Sequence, residues 1–118
     1  MTLDKFNEYC ASLPATHKVV QWGGAHVWKI GDKIFAMASL WGESGGGFKI
    51  GFKASDMAFM MLTEEPNIVP SPYLGRYKWV LLQTADALNE KDTKAYLNAA
   101  HEIVSAKLTK AKRKELGI

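Results

Sequence analysis

Two short segments rich in β-branched and aromatic residues, His26–Ile30 and Lys33–Leu40, are separated only by Gly31 and Asp32. A two-residue loop that begins with glycine suits a type II′ turn, which joins antiparallel strands because its twist matches theirs. The pattern therefore predicts a β-hairpin whose second strand begins at Lys33. Any fold open to this chain must include that hairpin.

Two more segments of similar composition, His17–Trp22 and Gly47–Phe52, flank the hairpin in the chain. In the second of them apolar and polar residues alternate, as in a strand that buries one face. Its apolar positions are Phe48, Ile50 and Phe52. The four segments predict an antiparallel meander that helices cover on one side.

Helix signals precede and follow this meander. Thr2 can cap a first helix that Pro14 ends, and its apolar positions recur every three or four residues. These positions are Leu3, Phe6, Cys10 and Leu13. Ser55 can cap a short second helix that ends before Pro66. Its apolar positions, which we expect to fill the core, are Met57, Met60, Met61 and Leu62.

The second half of the chain predicts a loop, a strand and a helix. Residues 65–78 contain four helix and strand breakers, Pro66, Pro70, Pro72 and Gly75, so we expect an ordered functional loop rather than a regular element. A strand follows at Trp79–Gln83. Asp92 can cap a long final helix that carries basic residues in its last turns. Its apolar face comprises Tyr96, Ala100, Ile103, Val104 and Leu108.

Together these segments predict one α+β domain over residues 1–118, an antiparallel sheet packed against N-terminal and C-terminal helices. The formal net charge is +3. Residues 107–118 carry five basic side chains and one acidic side chain, whereas the other ten basic and eleven acidic residues sum to −1. We expect a nearly neutral body with a basic C-terminal segment.

The sequence contains no signal for a membrane or for secretion. No apolar run reaches the roughly 18 residues of a membrane-spanning helix, and the first residues lack the apolar region of a signal peptide. The single cysteine, Cys10, excludes an internal disulfide, and its place on an apolar helix face predicts a buried thiol. We therefore expect a cytoplasmic, monomeric protein.

Catalytic and cofactor motifs are not recognisable in the sequence. His17, His26 and His101 have no cysteine or carboxylate partners at metal-ligand spacing. Residues 42–47, Gly-Glu-Ser-Gly-Gly-Gly, lead into a strand and not a helix, so they predict a hairpin loop rather than a phosphate-binding loop. We expect no metal, no cofactor and no enzymatic activity, but an active site assembled only in three dimensions remains an alternative.

Aromatic and cationic residues are interleaved along the chain, as in Trp28-Lys29 and Arg76-Tyr77-Lys78-Trp79. Aromatic rings can stack on bases while lysine and arginine neutralise phosphates, although any half-buried strand with a solvated face shows the same pattern. A first hypothesis is nucleic-acid binding with contacts mainly to phosphates. The binding residues would be Lys29, Lys49, Lys53, Arg76, Lys78, Lys110, Lys112, Arg113 and Lys114.

Three stretches resemble the MmcQ/YjbR family of small bacterial proteins. Trp22-Gly23 with residues 26–36, HVWKIGDKIFA, is similar to the family's WG…VFKVGGKIFA segment. Residues 70–73 and 78–80 resemble its proline-tyrosine loop and lysine-tryptophan strand, and residues 103–108 resemble its closing LVxxKL. The chain departs at Ala100-His101, where many members have Ser-Tyr, so a role tied to that tyrosine is not expected here.

The resemblance implies a CyaY-like or secretion-chaperone-like α+β fold. It also implies DNA binding, because the fold is similar to a double-wing transcription-factor domain, although a fold does not determine a function. A second hypothesis is therefore a module that binds a protein partner or a small ligand. It would use an aromatic groove where the family-like residues concentrate, between Trp22, His26, Tyr73 and Trp79.

Overall fold

Six strands form one open antiparallel sheet within the residues that the computed structural model describes, which are 1–39, 48–72 and 74–118. The strands are β1 (Thr16–Gln21), β2 (Ala25–Ile30), β3 (Lys33–Ser39), β4 (Lys49–Lys53), β5 (Ile68–Pro70) and β6 (Trp79–Leu82). Their spatial order is β1-β2-β3-β4-β6-β5. The helices are α1 (Leu3–Ser12), α2 (Asp56–Leu62), α3 (Glu90–Ser105) and α4 (Lys110–Leu116). The predicted α+β class is confirmed.

The β2–β3 hairpin forms at the predicted turn. Gly31 has a φ of +61°, as the first central position of a type II′ turn requires, and Ile30 pairs with Lys33. Lys29 pairs with Ile34 in the same register, and a bulge then shifts the register by one residue, so that Trp28 pairs with Ala36. The predicted strand ends at Leu40 and Gly47 and the glycine-rich segment 42–47 lie outside the described residues.

The hydrophobic core lies between the sheet and the helices α1 and α3. Phe52 of β4 is fully buried and stacks on Tyr96 of α3, with 5.8 Å between the ring centroids. Phe35, the residue that the bulge leaves unpaired, meets the His101 ring edge-on at 5.4 Å. The His101 Nε2–H donates to the carbonyl oxygen of Pro14 over 2.8 Å, which ties α3 to the end of α1.

The prediction of an irregular segment over residues 65–78 is wrong in two places. Ile68–Pro70 forms β5, the edge strand that pairs with β6, and Gly75–Tyr77 forms a 3-10 turn. Proline lacks a backbone N–H, and an edge strand bonds a neighbour on one side only, so Pro70 is compatible with the ladder. The prolines and the glycine of this segment predicted an irregular loop, because the sequence does not show that the strand lies at the edge of the sheet.

The final helix differs from its prediction at both ends. Its N-cap is Asn89, whose side-chain oxygen accepts from the Asp92 backbone N–H at 2.7 Å, so Asp92 lies inside the first turn. The helix ends at Ser105, and Thr109 caps a separate helix, α4, by accepting from the Lys112 N–H at 3.0 Å. The basic segment is therefore a second, reoriented helix and not the continuation of α3.

The methionines of α2 point into solvent, which contradicts their predicted place in the core. Met57, Met60 and Met61 are 73%, 69% and 58% exposed, whereas Leu62 is only 4% exposed. The Ser55 cap sets the helix phase so that Leu62, with Phe59, faces the core. The three methionines lie on the opposite side of this helix, since positions three and four residues apart share a face.

Candidate functional site

The end of the sheet that carries the Gly31-Asp32 turn collects most of the cations, and we call it the basic end. Antiparallel pairing brings to this end the last residues of β2 and β4 and the first residues of β3 and β6. Lys29, Lys33 and Lys53 lie there on the strands, and Arg76 and Lys78 lie in the segment that enters β6. The ends of α1 and α3 join them, because His101 bonds to Pro14.

Three lysines converge at the centre of the basic end. Burial lowers the pKa of Lys53, and the nearby charges of Lys107 and Lys78 lower it further, while Asp56 acts in the opposite direction. The Lys53 ammonium donates a hydrogen bond to the backbone carbonyl oxygen of Tyr77. Lys78 holds its ammonium 5.0 Å from the centroid of the Phe59 ring. Lysines from three separate segments of the chain therefore lie near one another.

Helix α4 extends the same cationic surface across the hairpin turn. A Cβ placed on Gly31 would lie 3.2 Å from Lys112 Cε and 3.4 Å from a methyl carbon of Leu116. Leu108, just before the helix, is 5% exposed and belongs to the core. The basic C-terminal segment is thus packed on the turn, so that α4 lies at this end of the molecule with its cations Lys110, Lys112, Arg113 and Lys114.

Charge is separated along the strand direction. Counting residues 1–39, 48–72 and 74–118, the basic end carries ten cations and four carboxylates, a net formal charge of +6. The cations are Lys29, Lys33, Lys53, Arg76, Lys78, Lys107, Lys110, Lys112, Arg113 and Lys114, and the carboxylates are Asp32, Asp56, Glu102 and Glu115. The other residues in these ranges carry five cations and seven carboxylates and therefore sum to −2. The expected neutral body is, in three dimensions, a polarised one.

Of the nine cations predicted from the sequence, eight lie at the basic end. Lys49 pairs with Ser39 at the other end of the sheet, so the structure separates it from the rest. Lys33 and Lys107 also lie at the basic end, although neither was among the nine cations predicted from the sequence. Lys107 was visible as part of the basic C-terminal segment, but only its position beside Lys53 distinguishes it from an ordinary surface lysine.

The predicted aromatic groove is not assembled. Trp22 is 53% exposed, with a φ of +53°, in the turn between β1 and β2. Trp79 is 7% exposed and lies on β6, three strands from His26, which is roughly 14 Å at ordinary strand spacing. Strand alternation also places Trp79 and His26 on opposite faces of the sheet. Tyr73 lies outside the described residues.

His26 belongs instead to a local polar cluster with α1. The Asn7 side-chain N–H donates to His26 Nδ1 at 3.0 Å, and the Trp28 indole N–H donates to the Asn7 side-chain oxygen at 2.9 Å. Burial lowers the pKa of His26, and the charge of Lys18 lowers it further. The amide of Asn7 thus satisfies two rings at once, which is a structural role.

The described residues do not form a metal centre. Residues 1–39, 48–72 and 74–118 contain no group of three or more His, Cys, Asp or Glu side chains placed to hold a metal ion. A polar depression of about 250 Å³ between α1 and α3 is lined by Lys5, Glu8, Tyr9, Ser12, Glu90 and Lys94. Glu90 there is already paired with Lys5 at 3.3 Å and Lys94 at 3.4 Å.

The described residues also contain no helix that is both long and apolar enough to cross a membrane.

Comparisons with known proteins bear on the fold. The YjbR family profile matches residues 11–103. A Deinococcus radiodurans protein with a DUF419 domain has a similar structure, with a TM-score of 0.84 and 22% identity over 99% of this chain and 88% of that one. A Pseudomonas syringae protein gives a TM-score of 0.70 and 17% identity over 87% of this chain and 98% of that one. Curated proteins gave no significant match.

Proposed function

We propose that this chain, which belongs to the YjbR family, is a non-enzymatic module that binds nucleic acid through its basic end. The contacts would be mainly to phosphates, so that binding depends little on base sequence. The observation that carries the proposal is that Lys78, which immediately precedes β6, and Lys107, in the connection between α3 and α4, both lie near Lys53 of β4.

Close lysines repel one another, and the lowered pKa of Lys53 expresses both its burial and that repulsion. A phosphate placed among the three ammonium groups would offset the repulsion between them. Beside an isolated surface lysine there is no such repulsion for a phosphate to offset. The polarised charge adds to this effect, since a surface of one sign steers a polyanion toward the end where it binds. The rest of the molecule carries a net negative charge, so the phosphates of the nucleic acid would repel it.

The test is a salt series with a labelled DNA duplex, followed by fluorescence anisotropy. If about four phosphates are engaged, the logarithm of the association constant should fall with that of salt at a slope near −3.6. Affinity would then drop about a hundredfold between 50 and 200 mM salt. Replacing two exposed cations of the basic end, in Lys107→Gln with Lys110→Gln, should reduce the slope to about −1.8.

The matched control removes two lysines from the opposite end, in Lys5→Gln with Lys91→Gln, and should keep the full slope. Point substitutions are preferable to removing the C-terminal segment, because Leu108 and Leu116 pack against the core and a truncation would disturb the fold. A flat salt response, or equal losses in both double variants, would contradict the proposal. The hypothesis of a partner- or small-ligand-binding module would then take precedence.

A further inference from the structure

Tyr77 is an exposed aromatic residue in the middle of the basic end. It is 52% exposed, whereas Trp28 and Trp79 are buried. Its neighbours in the chain are Arg76 and Lys78, and its own carbonyl oxygen accepts a hydrogen bond from the Lys53 ammonium. Single exposed aromatics are common on protein surfaces. This one is surrounded by the cations that the proposed phosphate contacts require.

The backbone that carries the Tyr77 ring is held in place. The Tyr77 N–H donates to the Leu74 carbonyl oxygen at 3.0 Å, and the Lys78 N–H donates to that of Gly75 at 2.9 Å. The Lys78 carbonyl oxygen accepts from the Ala54 N–H at 2.9 Å, which fixes the segment to the end of β4. A ring on a fixed backbone loses little conformational freedom when it binds, so its contacts are retained as affinity.

A cation lies against the ring. The Arg76 guanidinium lies over the Tyr77 ring, 4.8 Å from its centroid. Such a pair presents an aromatic surface and a cation together, which matches a base and the adjoining phosphate of a single strand. Bases inside a duplex are stacked on each other, so their faces are closed to the ring.

We infer that Tyr77 stacks on an unpaired base, so that the basic end prefers single-stranded over double-stranded nucleic acid. The inference rests on the proposed function, since Arg76, Lys53 and Lys78 would hold the phosphates on either side of the stacked base. Stacking does not depend on base identity, because every base has an aromatic face. The preference concerns strandedness, and sequence specificity is not part of it.

The test compares a labelled single-stranded oligonucleotide with a duplex of equal length, at the same salt, by fluorescence anisotropy. The unaltered chain should bind the single strand more tightly. Tyr77→Ala should weaken single-strand binding about 5- to 150-fold, the range that loss of one stacked base produces. Duplex binding should change less than twofold. Tyr77→Phe keeps the ring and should retain the preference.

Trp22→Ala is the matched control, because it removes an equally exposed aromatic residue from the opposite end of the sheet. It should leave binding to both probes unchanged, and circular dichroism should show all variants folded. Salt-sensitive binding to both probes with no loss in Tyr77→Ala, or with equal losses for both, overturns the inference and leaves the proposed function standing. Binding to neither probe at low salt overturns both.

Discussion

Asn7 holds two buried or half-buried rings with one amide, and replacing it with alanine tests whether the cluster around His26 is structural. The Trp28 side chain is 6% exposed, so its indole N–H would lose its acceptor in a dry environment. An unsatisfied buried donor costs about 1–3 kcal/mol, and the lost bond to His26 adds about 0.5–1.5 kcal/mol. Alanine regains roughly 0.5 kcal/mol of helix propensity. The net expectation for Asn7→Ala is a loss of about 2 kcal/mol.

The assay is urea unfolding at neutral pH, followed by far-ultraviolet circular dichroism. Asn98→Ala is the matched control, because it makes the same substitution in α3 where the side chain has only an exposed bond to Glu102 at 3.3 Å. We expect the control to change the free energy of unfolding by less than about 0.5 kcal/mol. If Asn7→Ala costs no more than this control, the bridging role of Asn7 is refuted.

The same cluster predicts a pH dependence with a definite sign. The Asn7 N–H donates to His26 Nδ1, so that nitrogen must be unprotonated, and burial together with Lys18 lowers the His26 pKa below its ordinary value of 6.5. Because the His26 pKa is lower in the folded state than in the unfolded state, the folded state binds fewer protons than the unfolded state. Its stabilising contribution is therefore complete above pH 6.5 and is lost as the pH falls from there through the lower folded pKa.

Asn7→Asp isolates this contribution from the other titrating groups. A carboxylate in place of the amide accepts from both the Trp28 N–H and a protonated His26, so it should raise the His26 pKa. When urea unfolding is repeated about one pH unit below the ordinary pKa of histidine, the free energy of unfolding should fall more for the unaltered chain than for Asn7→Asp. Equal losses of unfolding free energy in the two proteins would show that the side chain at position 7 does not control the His26 pKa.

Two further predictions concern α2 and α1. Replacing Met57 and Met60 together with glutamine should change the free energy of unfolding by less than about 0.5 kcal/mol per site, because both are exposed, whereas Leu62→Ala on the buried face should cost about 2–5 kcal/mol. Comparable losses in urea unfolding would mean that the methionine face is covered. Burial raises the pKa of the Cys10 thiol to about 12, so a thiol reagent at mildly alkaline pH should label the unfolded chain and spare the folded one. Rapid labelling without unfolding would contradict that burial.

Local patterns predicted most of the elements because their causes are local. The glycine-first loop specified the β2–β3 turn, and the Thr2 and Ser55 caps specified two helix starts, each through contacts within four residues. The helix starts that were predicted wrongly also have local causes. Asn89 and Thr109 are cap residues of the same kind, and Thr109 in particular signalled that the basic segment begins a new helix.

Local sequence patterns were enough to predict the fold class, the hairpin turn, two helix starts and the family-like segments, since periodicity, caps and turns act between near neighbours. The candidate site was decided by the tertiary structure. Strand directions place Lys53 beside Lys78, the segment after α3 brings Lys107 near Lys53, and Leu108 and Leu116 hold α4 against Gly31. Charge repulsion and attraction act through space between residues far apart in the chain. A charge count along the chain therefore predicts a nearly neutral body, whereas packing produces a cationic end.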